Sequence, residues 1–564
     1  MDGSFRVNVH MHVPVAMRDG VRLSTDLYLP EGDGRFPTVL MRTPYDNGGA
    51  AAVRKAHALA GAGYVCIVQD VRGRWDSEGD YLPFVAEAED GYDTQAWIGT
   101  QPWSNGRIGM SGRSYVGSVQ WLSAPLQSPH LTCLAPQSIC VEYLTGLVRP
   151  GGAYQLGVLI TWGMRTVGRT AHPIDDRNWT DLFYTLPVMD MPKRAGAYLP
   201  YWNEWLKREA GDPYWTAIST EGRWADVTVP AYTMGGWYDL YATQAFDQFN
   251  AMRRQGGSTA ARQSKLIMGP WPHHLGSDLP TAPRTGDIDF GPTAAISIDT
   301  IERRWFDHWL KDVDTGITDE PPLRLFIMGI NQWRDEHEWP LARTDWQEWY
   351  LHSNGRANSA RGDGGLNRTP PGDESPDTFT YDPHFPVQTV GGANCCSPEV
   401  VPWGPYDQRA VEARTDVLCY TSEPLSADLE VTGPIKLVLH AATDGLDTDW
   451  TAKLVDVWPS GYAMNLCDGI VRARYRNRGA QPELLEPGDI YEFEIDVGVT
   501  GNVFKRGHRI RLEVASSNFP RFDRNLNTGD HPATDAVIRV ANQTVQHDAV
   551  RPSHLLLPVI PNPT

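Results

Sequence analysis

The run Arg107-Ile-Gly-Met-Ser-Gly-Arg-Ser-Tyr-Val-Gly117 decides how the chain is read. A short apolar strand pattern, Arg107–Met110, leads into Gly112-Arg-Ser-Tyr-Val-Gly117, and a helix-like stretch through Gln120-Trp-Leu122 follows. Such a strand-to-helix elbow lifts a serine hydroxyl above the end of a sheet, and small neighbours permit the strained turn. It also sets backbone N–H groups at a helix N-terminus, where developing negative charge is stabilised. The spacing departs from G-x-S-x-G, because the second glycine comes one residue late. A Gly-Ser turn alone is often only a turn. The strand before it and the helix after it make Ser114 a candidate nucleophile.

The surroundings of this run alternate strand and helix. Strand patterns cover Thr38–Tyr45 and Tyr64–Val71, and helix-like stretches lie near Ala51–Ala62 and Ala86–Trp97. That order predicts a mostly parallel sheet with helices on both faces. From about Glu142 to Arg223 strands become scarce, and Trp, Tyr and charged residues recur at helical spacing, which reads as a helical insertion. Strand patterns return at Val229–Gly235 and Lys265–Met268. A helix is predicted near Thr300–Lys311, with Ile301, Trp305 and Trp309 along one face. The Gly/Pro/Asp-rich passage from Ser353 to Pro383 reads as a long loop. Beyond it the period becomes two, as in Tyr491/Phe493/Ile495/Val497 and Ile510/Leu512/Val514, which predicts an antiparallel β-sandwich, a jelly roll.

A serine nucleophile needs a base and a group that orients the base. The second pair of strands ends in Gly236-Trp-Tyr-Asp239 and Gly269-Pro-Trp-Pro-His273-His274. Functional groups gather at the carboxyl ends of parallel strands, and the order Ser114, Asp239, His273 is that of α/β-hydrolases. His274 points elsewhere and is taken as structural. At the strand end Thr43-Pro-Tyr-Asp46, the Tyr45 hydroxyl is a candidate oxyanion donor beside the Tyr115 N–H, set against the plainer reading of a proline turn with Asp46 as a cap.

These segments resemble the cocaine esterase and Xaa-Pro dipeptidyl-peptidase family of serine hydrolases, most closely its bacterial cocaine esterase branch. The matching residues are Arg42-Thr-Pro-Tyr-Asp46, Asp70-Val-Arg-Gly73 with Ser77-Glu-Gly79, Gly112-Arg-Ser-Tyr-Val-Gly117, Gly236-Trp-Tyr-Asp239, Gly269-Pro-Trp-Pro-His273, Asp449-Trp-Thr-Ala-Lys-Leu454 and Ser516-Ser-Asn-Phe-Pro520. The resemblance implies an α/β architecture: an α/β-hydrolase domain (residues 1–143 and 227–330), an inserted helical cap (144–226) and a C-terminal jelly-roll β-sandwich (331–564). It implies Ser114 as nucleophile, Asp239 as acid, His273 as base, and Tyr45 with the Tyr115 amide as oxyanion hole. It also implies Trp162 and Tyr241 as acyl-pocket residues, with the loop Gly391-Gly-Ala-Asn-Cys395-Cys396 closing that pocket from the jelly roll.

Two departures stand out. Arg113 puts a long cation beside the nucleophile, and Cys395-Cys396 replaces bulkier apolar residues, so a different or roomier acyl pocket is expected. Both cysteines are expected to be reduced and to pack as small apolar groups, a vicinal disulfide being the other reading. No carboxylate cluster matches those that hold an α-amino group in the amino-ester and dipeptidyl branches. Asp175, Asp176 and Asp181 lie in the cap but do not align with it.

Composition bounds the rest. In 564 residues there are 69 Asp+Glu against 50 Lys+Arg, a formal charge of −19, with no basic run, which argues against nucleic acid or an anionic membrane as partner. No stretch of eighteen apolar residues and no apolar leader are present, so a cytoplasmic protein is expected. Its partner would be a small-molecule ester, self-association stays open, and neither cofactor nor metal is called for. A rival reading takes Val9-His-Met-His12 as the H-x-H of a TIM-barrel metallohydrolase, but the later strands do not make eight βα units. A second rival makes the chain a jelly-roll binding protein with an inactive hydrolase domain. The complete Ser114/Asp239/His273 set argues against it, and Trp450 and Trp458 are read as packing residues. The expected chemistry is hydrolysis of a carboxylic ester with a bulky or aromatic acyl group, an amide-cleaving acylase or dipeptidyl peptidase being the near alternative.

Overall fold

The computed structural model describes residues 5–273, 284–477 and 481–561. Its first layer is a ten-stranded mixed sheet. The first eight strands are β1 (Val7–Ala16), β2 (Arg22–Pro30), β3 (Phe36–Thr43), β4 (Val65–Asp70), β5 (Ser104–Arg113), β6 (Leu131–Gln137), β7 (Tyr232–Tyr238) and β8 (Lys265–Pro272). In space they run β1-β2-β4-β3-β5-β6-β7-β8, followed by Leu323–Ile327 and Gln332–Glu336. Every pairing from β4 to Leu323–Ile327 is parallel, and the antiparallel pairs lie at the two edges. The central strands are covered on both faces, which is why β4 and β7 read as unbroken buried runs. The sheet continues past residue 330, since Gln332–Glu336 pairs with it.

The helices α1 (Ala50–Gly61), α2 (Glu87–Gly99) and α3 (Tyr115–Ser123) connect the early strands. The helix Ile298–Lys311 buries Ile298, Glu302, Trp305, Phe306 and Leu310, so its buried seam is rotated from the one expected, and Ile301 and Trp309 are only half-buried. The reason is Glu302. It reaches under the sheet to accept from Ser111 Oγ at 2.8 Å and Gln137 Nε2 at 2.6 Å, and pairs with Lys55 at 2.5 Å.

Between β6 and β7 the chain makes only helices: α4 (Leu156–Arg165), nearly all of it buried, and the short Trp179–Phe183, Met191–Arg194, Trp202–Lys207 and Pro213–Ala217. The last part of the chain forms an eleven-stranded sheet, antiparallel but for the contact of Gly365–Asn367 with Leu418–Thr421. The passage Ser353–Pro383 is not the loop its composition predicts: it holds the strands Gly365–Asn367 and Asp377–Tyr381. Buried Asp377 fixes it, accepting from Ser353 Oγ (2.7 Å), Tyr420 Oη (2.8 Å) and Ala357 N (2.8 Å) and pairing with His547 (2.9 Å). Polar residues of the strand Arg509–Ala515 are buried too, because Arg511 meets Glu412 and Glu513 meets Lys453.

The two regions interlock behind β7. The Tyr238 hydroxyl donates to Asn465 O at 3.2 Å, and just past the strand Leu323–Ile327 the Met328 amide donates to Gly501 O at 2.8 Å. Trp450 is fully buried in this core and Trp458 packs at its margin, as packing residues. The metallohydrolase reading fails on topology: the sheet is open, and His10 and His12 sit exposed on its outermost strand. No helix among the described residues is long and apolar enough to cross a membrane.

Candidate active site

Ser114 stands between β5 and α3 with φ 58° and ψ −130°, a sparsely populated conformation for a residue with a side chain. The turn is clamped from both ends. Ser114 N donates to Gln137 O at 2.9 Å, and the amides of Gly117 and Ser118 donate to Ser114 O at 2.8 and 2.9 Å. A Cβ on Gly112, whose φ is +146°, would come within 2.2 Å of Val116 Cγ1. One on Gly117 would come within 2.3 Å of Ile139 Cγ2. The late glycine thus has a cause: Val116 covers the strand side of the turn, and the close approach of helix to sheet falls one residue later.

The Tyr115 amide is the first of α3, and such amides have no acceptor within their own helix. Its side chain anchors that turn. The hydroxyl donates to Glu87 Oε1 at 2.7 Å and accepts from Phe84 N at 2.9 Å, while Glu87 pairs with buried Arg42 at 2.8 Å. Tyr45 follows β3, and its hydroxyl accepts from Trp162 Nε1 at 3.1 Å. Burial pushes the Tyr45 phenol up, against the opposing pull of Trp162 and Ser114, so it stays a proton donor. Arg113 acts on both Tyr45 and Asp239 through its charge, while burial draws its own guanidinium down.

Asp239, just past β7, and His273, just past β8, are both buried and meet at 3.2 Å between Oδ1 and Nδ1. The same Oδ1 accepts from Tyr241 N at 3.0 Å. Burial pushes the Asp239 carboxyl up, but the facing histidine, the Ser138 hydroxyl and the Tyr241 amide outweigh it and hold it below the ordinary carboxylate range. The Tyr241 ring packs edge-on to the His273 ring at 5.8 Å. His274 lies outside the described residues.

Seven of the nine residues named from the sequence line one cleft: Tyr45, Ser114, Tyr115, Trp162, Tyr241, Cys395 and Cys396. The cleft encloses about 400 Å³ including its open mouth. The Asp239–His273 pair borders it through Tyr241 and the two sulfurs, which lie within 4.8 Å of a His273 ring nitrogen. Phe84, Ser118, Leu147, Val158 and Leu159 complete the lining and were not foreseen. Val158, Leu159 and Trp162 share one side of α4, a helical spacing visible in the sequence. Phe84 stacks on Tyr115 at 4.6 Å from a loop that carries no motif. Asp175, Asp176 and Asp181 are exposed on the cap and do not reach the cleft. The two cysteines are not the reduced pair expected: they are joined in a disulfide. Cys396 has a positive φ of 76°.

Residues 19–275 match the family model described as X-Pro dipeptidyl-peptidase (S15 family), and residues 315–556 match the C-terminal non-catalytic domain of X-Pro dipeptidyl-peptidase. The chain is 37% identical to the cocaine esterase of Rhodococcus sp. (strain MB1 Bresler), over 99% of its length and 100% of that protein. The chain belongs to the cocaine esterase and X-Pro dipeptidyl-peptidase family. Solved structures agree with membership of this family. An α-amino acid ester hydrolase superposes with a TM-score of 0.82 at 27% identity, covering 99% of this chain and 97% of that one. An aminopeptidase from a marine sediment archaeon of the Thaumarchaeota superposes with a TM-score of 0.86 at 25% identity, covering 100% and 98%. The cocaine esterase family fold, α/β-hydrolase with a β-rich C-terminal domain, therefore spans this chain from end to end.

Proposed function

We propose that this protein is a serine ester hydrolase in which Ser114, His273 and Asp239 form the triad and Tyr45 and the Tyr115 amide form the oxyanion hole. The observation that carries the reading is the convergence, on one aromatic cleft, of a strained serine, a buried histidine–carboxylate pair and a phenol oriented by an indole. His273 takes the Ser114 proton as the hydroxyl attacks the acyl carbon, and Asp239 steadies the imidazolium. The oxyanion takes hydrogen bonds from Tyr45 and Tyr115 N. Protonated His273 gives its proton to the departing alkoxide, and water, deprotonated by the same imidazole, hydrolyses the acyl-enzyme.

Phe84, Tyr115, Trp162 and Tyr241 make the cleft flat-sided and apolar, which suits an uncharged, aromatic acyl group. An α-amino acyl group would need a carboxylate for its ammonium, and the lining residues include none. The test is fluorophosphonate labelling with peptide mapping, beside turnover of p-nitrophenyl acetate, butyrate, benzoate and α-amino esters. Stoichiometric adduct on Ser114, loss of turnover in Ser114→Ala, and preference for benzoate are expected. Labelling elsewhere, or preference for the α-amino esters, overturns the mechanism or the acyl assignment respectively.

A further inference from the structure

The mechanism above does not use Cys395 and Cys396, yet it places them against its base. Both sulfurs and a ring nitrogen of His273 lie within 4.8 Å of one another. Nδ1 of His273 hydrogen-bonds to Asp239, so a cation bound by this ring would sit on Nε2. A carboxylate on Nδ1 is the outer partner that metal-binding imidazoles ordinarily have. The loop that carries the sulfurs is held in place: Asn394 Nδ2 donates to Gly391 O at 2.9 Å and Pro402 O at 2.6 Å, and Gly392 and Gly404 pair across its base. The other five cysteines are buried thiols, and burial pushes them up, Cys66 to about 12. The vicinal pair therefore differs from them in lining an open cleft.

We propose that reduction of the Cys395–Cys396 disulfide turns this corner of the cleft into a site for a thiophilic divalent cation, held by both sulfurs and His273 Nε2, and that the bound cation silences the esterase. A dithiol reductant attacks one sulfur, passes through a mixed disulfide and leaves as its own cyclic disulfide, so two electrons and two protons reach the protein pair. A cation such as Zn²⁺ then displaces both thiol protons. Two thiolates and an imidazole are a zinc-type donor set, with a fourth position open to the cleft. The silencing rests on the reading of His273 as the base. The binding does not.

The test uses full-length protein in two states, as isolated and after treatment with a trialkylphosphine, which reduces the disulfide at the cost of one water and becomes its oxide. Each is loaded with Zn²⁺, freed of excess by gel filtration and analysed for metal and for p-nitrophenyl acetate turnover. Co²⁺ loading supplies thiolate-to-metal absorption as a readout independent of activity. One zinc per reduced chain, a tenfold or greater loss of turnover restored by a chelator, and no zinc on the oxidised chain are expected. Cys395→Ser/Cys396→Ser, checked for folding by circular dichroism, is expected to hold no zinc, and Cys395→Ser or Cys396→Ser alone to show weaker cobalt–thiolate absorption. Equal zinc on both redox states, or on the double variant, overturns the site. Zinc bound with turnover intact overturns the silencing, and with it the placing of His273 as a ligand.

Discussion

The Trp162 indole N–H donates to the Tyr45 hydroxyl at 3.1 Å. An indole nitrogen only donates, so this bond occupies a lone pair of Tyr45 and leaves its proton to point elsewhere. Ser114 is the other hydrogen-bonding neighbour of this hydroxyl. The helical insertion thus orients the hydroxyl proposed as an oxyanion donor.

Tyr45→Phe is therefore expected to lower kcat by about 10²–10³-fold with a small change in KM, the usual effect of losing one oxyanion donor. Trp162→Phe keeps an aromatic wall and removes only the orienting bond, which at about 1 kcal/mol corresponds to a loss of roughly fivefold in kcat. In the Tyr45→Phe background the Trp162→Phe change should have no further effect on kcat. Steady-state kinetics of the three variants checks this, and full additivity would separate the two residues.

Asp239 Oδ1 serves both His273 Nδ1 and the Tyr241 amide. Asp239→Ala removes both and is expected to cost about 10⁴-fold in kcat. Asp239→Asn keeps the shape but loses the charge, and its amide N–H2 turned toward Nδ1 imposes the wrong tautomer, so a loss of the same order is expected. A loss under tenfold in either variant would show that Asp239 does not orient His273.

Asp70 is fully buried at the end of β4, accepts from Asn47 N at 2.8 Å, and is pushed up to about 8, chiefly by burial. Its folded value lies above the unfolded one, so the native state favours the protonated form. Stability from this group is full below about pH 4, declines as pH rises toward 8 and is then lost. Asp70→Asn keeps an acceptor for Asn47 and cannot ionise. Its melting temperature relative to the parent should rise steadily from pH 5.5 to 8.5. A gap that does not change with pH contradicts the assignment.

Arg472 lies between Asp449 and Asp523, all three buried, with contacts of 2.8 to 3.1 Å. Asp523 also accepts from Tyr154 N, just ahead of α4, at 2.8 Å. Arg472→Met leaves two carboxylates facing each other without a cation and is expected to cost about 3–5 kcal/mol. Denaturant unfolding measures it. Asp449→Asn added to Arg472→Met should restore part of the loss.

The parts of the site legible in the sequence are those fixed by local chain geometry. The elbow around Ser114 needs Gly112 and Gly117, and a parallel sheet delivers Asp239 and His273 at adjacent strand ends, so short motifs carried them. Tyr45 was open from spacing alone, because its role depends on Trp162, distant in sequence. Phe84 was missed for the same reason: tertiary stacking, not a motif, brings it to Tyr115. Ser353–Pro383 looked like loop because its order comes from one buried carboxylate, Asp377, whose partners are scattered over the chain. The seam of Ile298–Lys311 was misread because a glutamate, Glu302, is buried there, and a hydrophobic pattern cannot find a buried ion pair. Adjacent cysteines give no sign of their pairing until the backbone at Cys396 is known.

The wall formed by Cys395 and Cys396 comes from a segment that carries none of the proposed triad or oxyanion residues and is anchored at its base by Gly392 and Gly404. Descent with modification can therefore rewrite which acyl groups are accepted while the reacting atoms stay untouched. The same separation offers protein engineers a short segment to vary, provided that Asn394, which holds the loop, is kept.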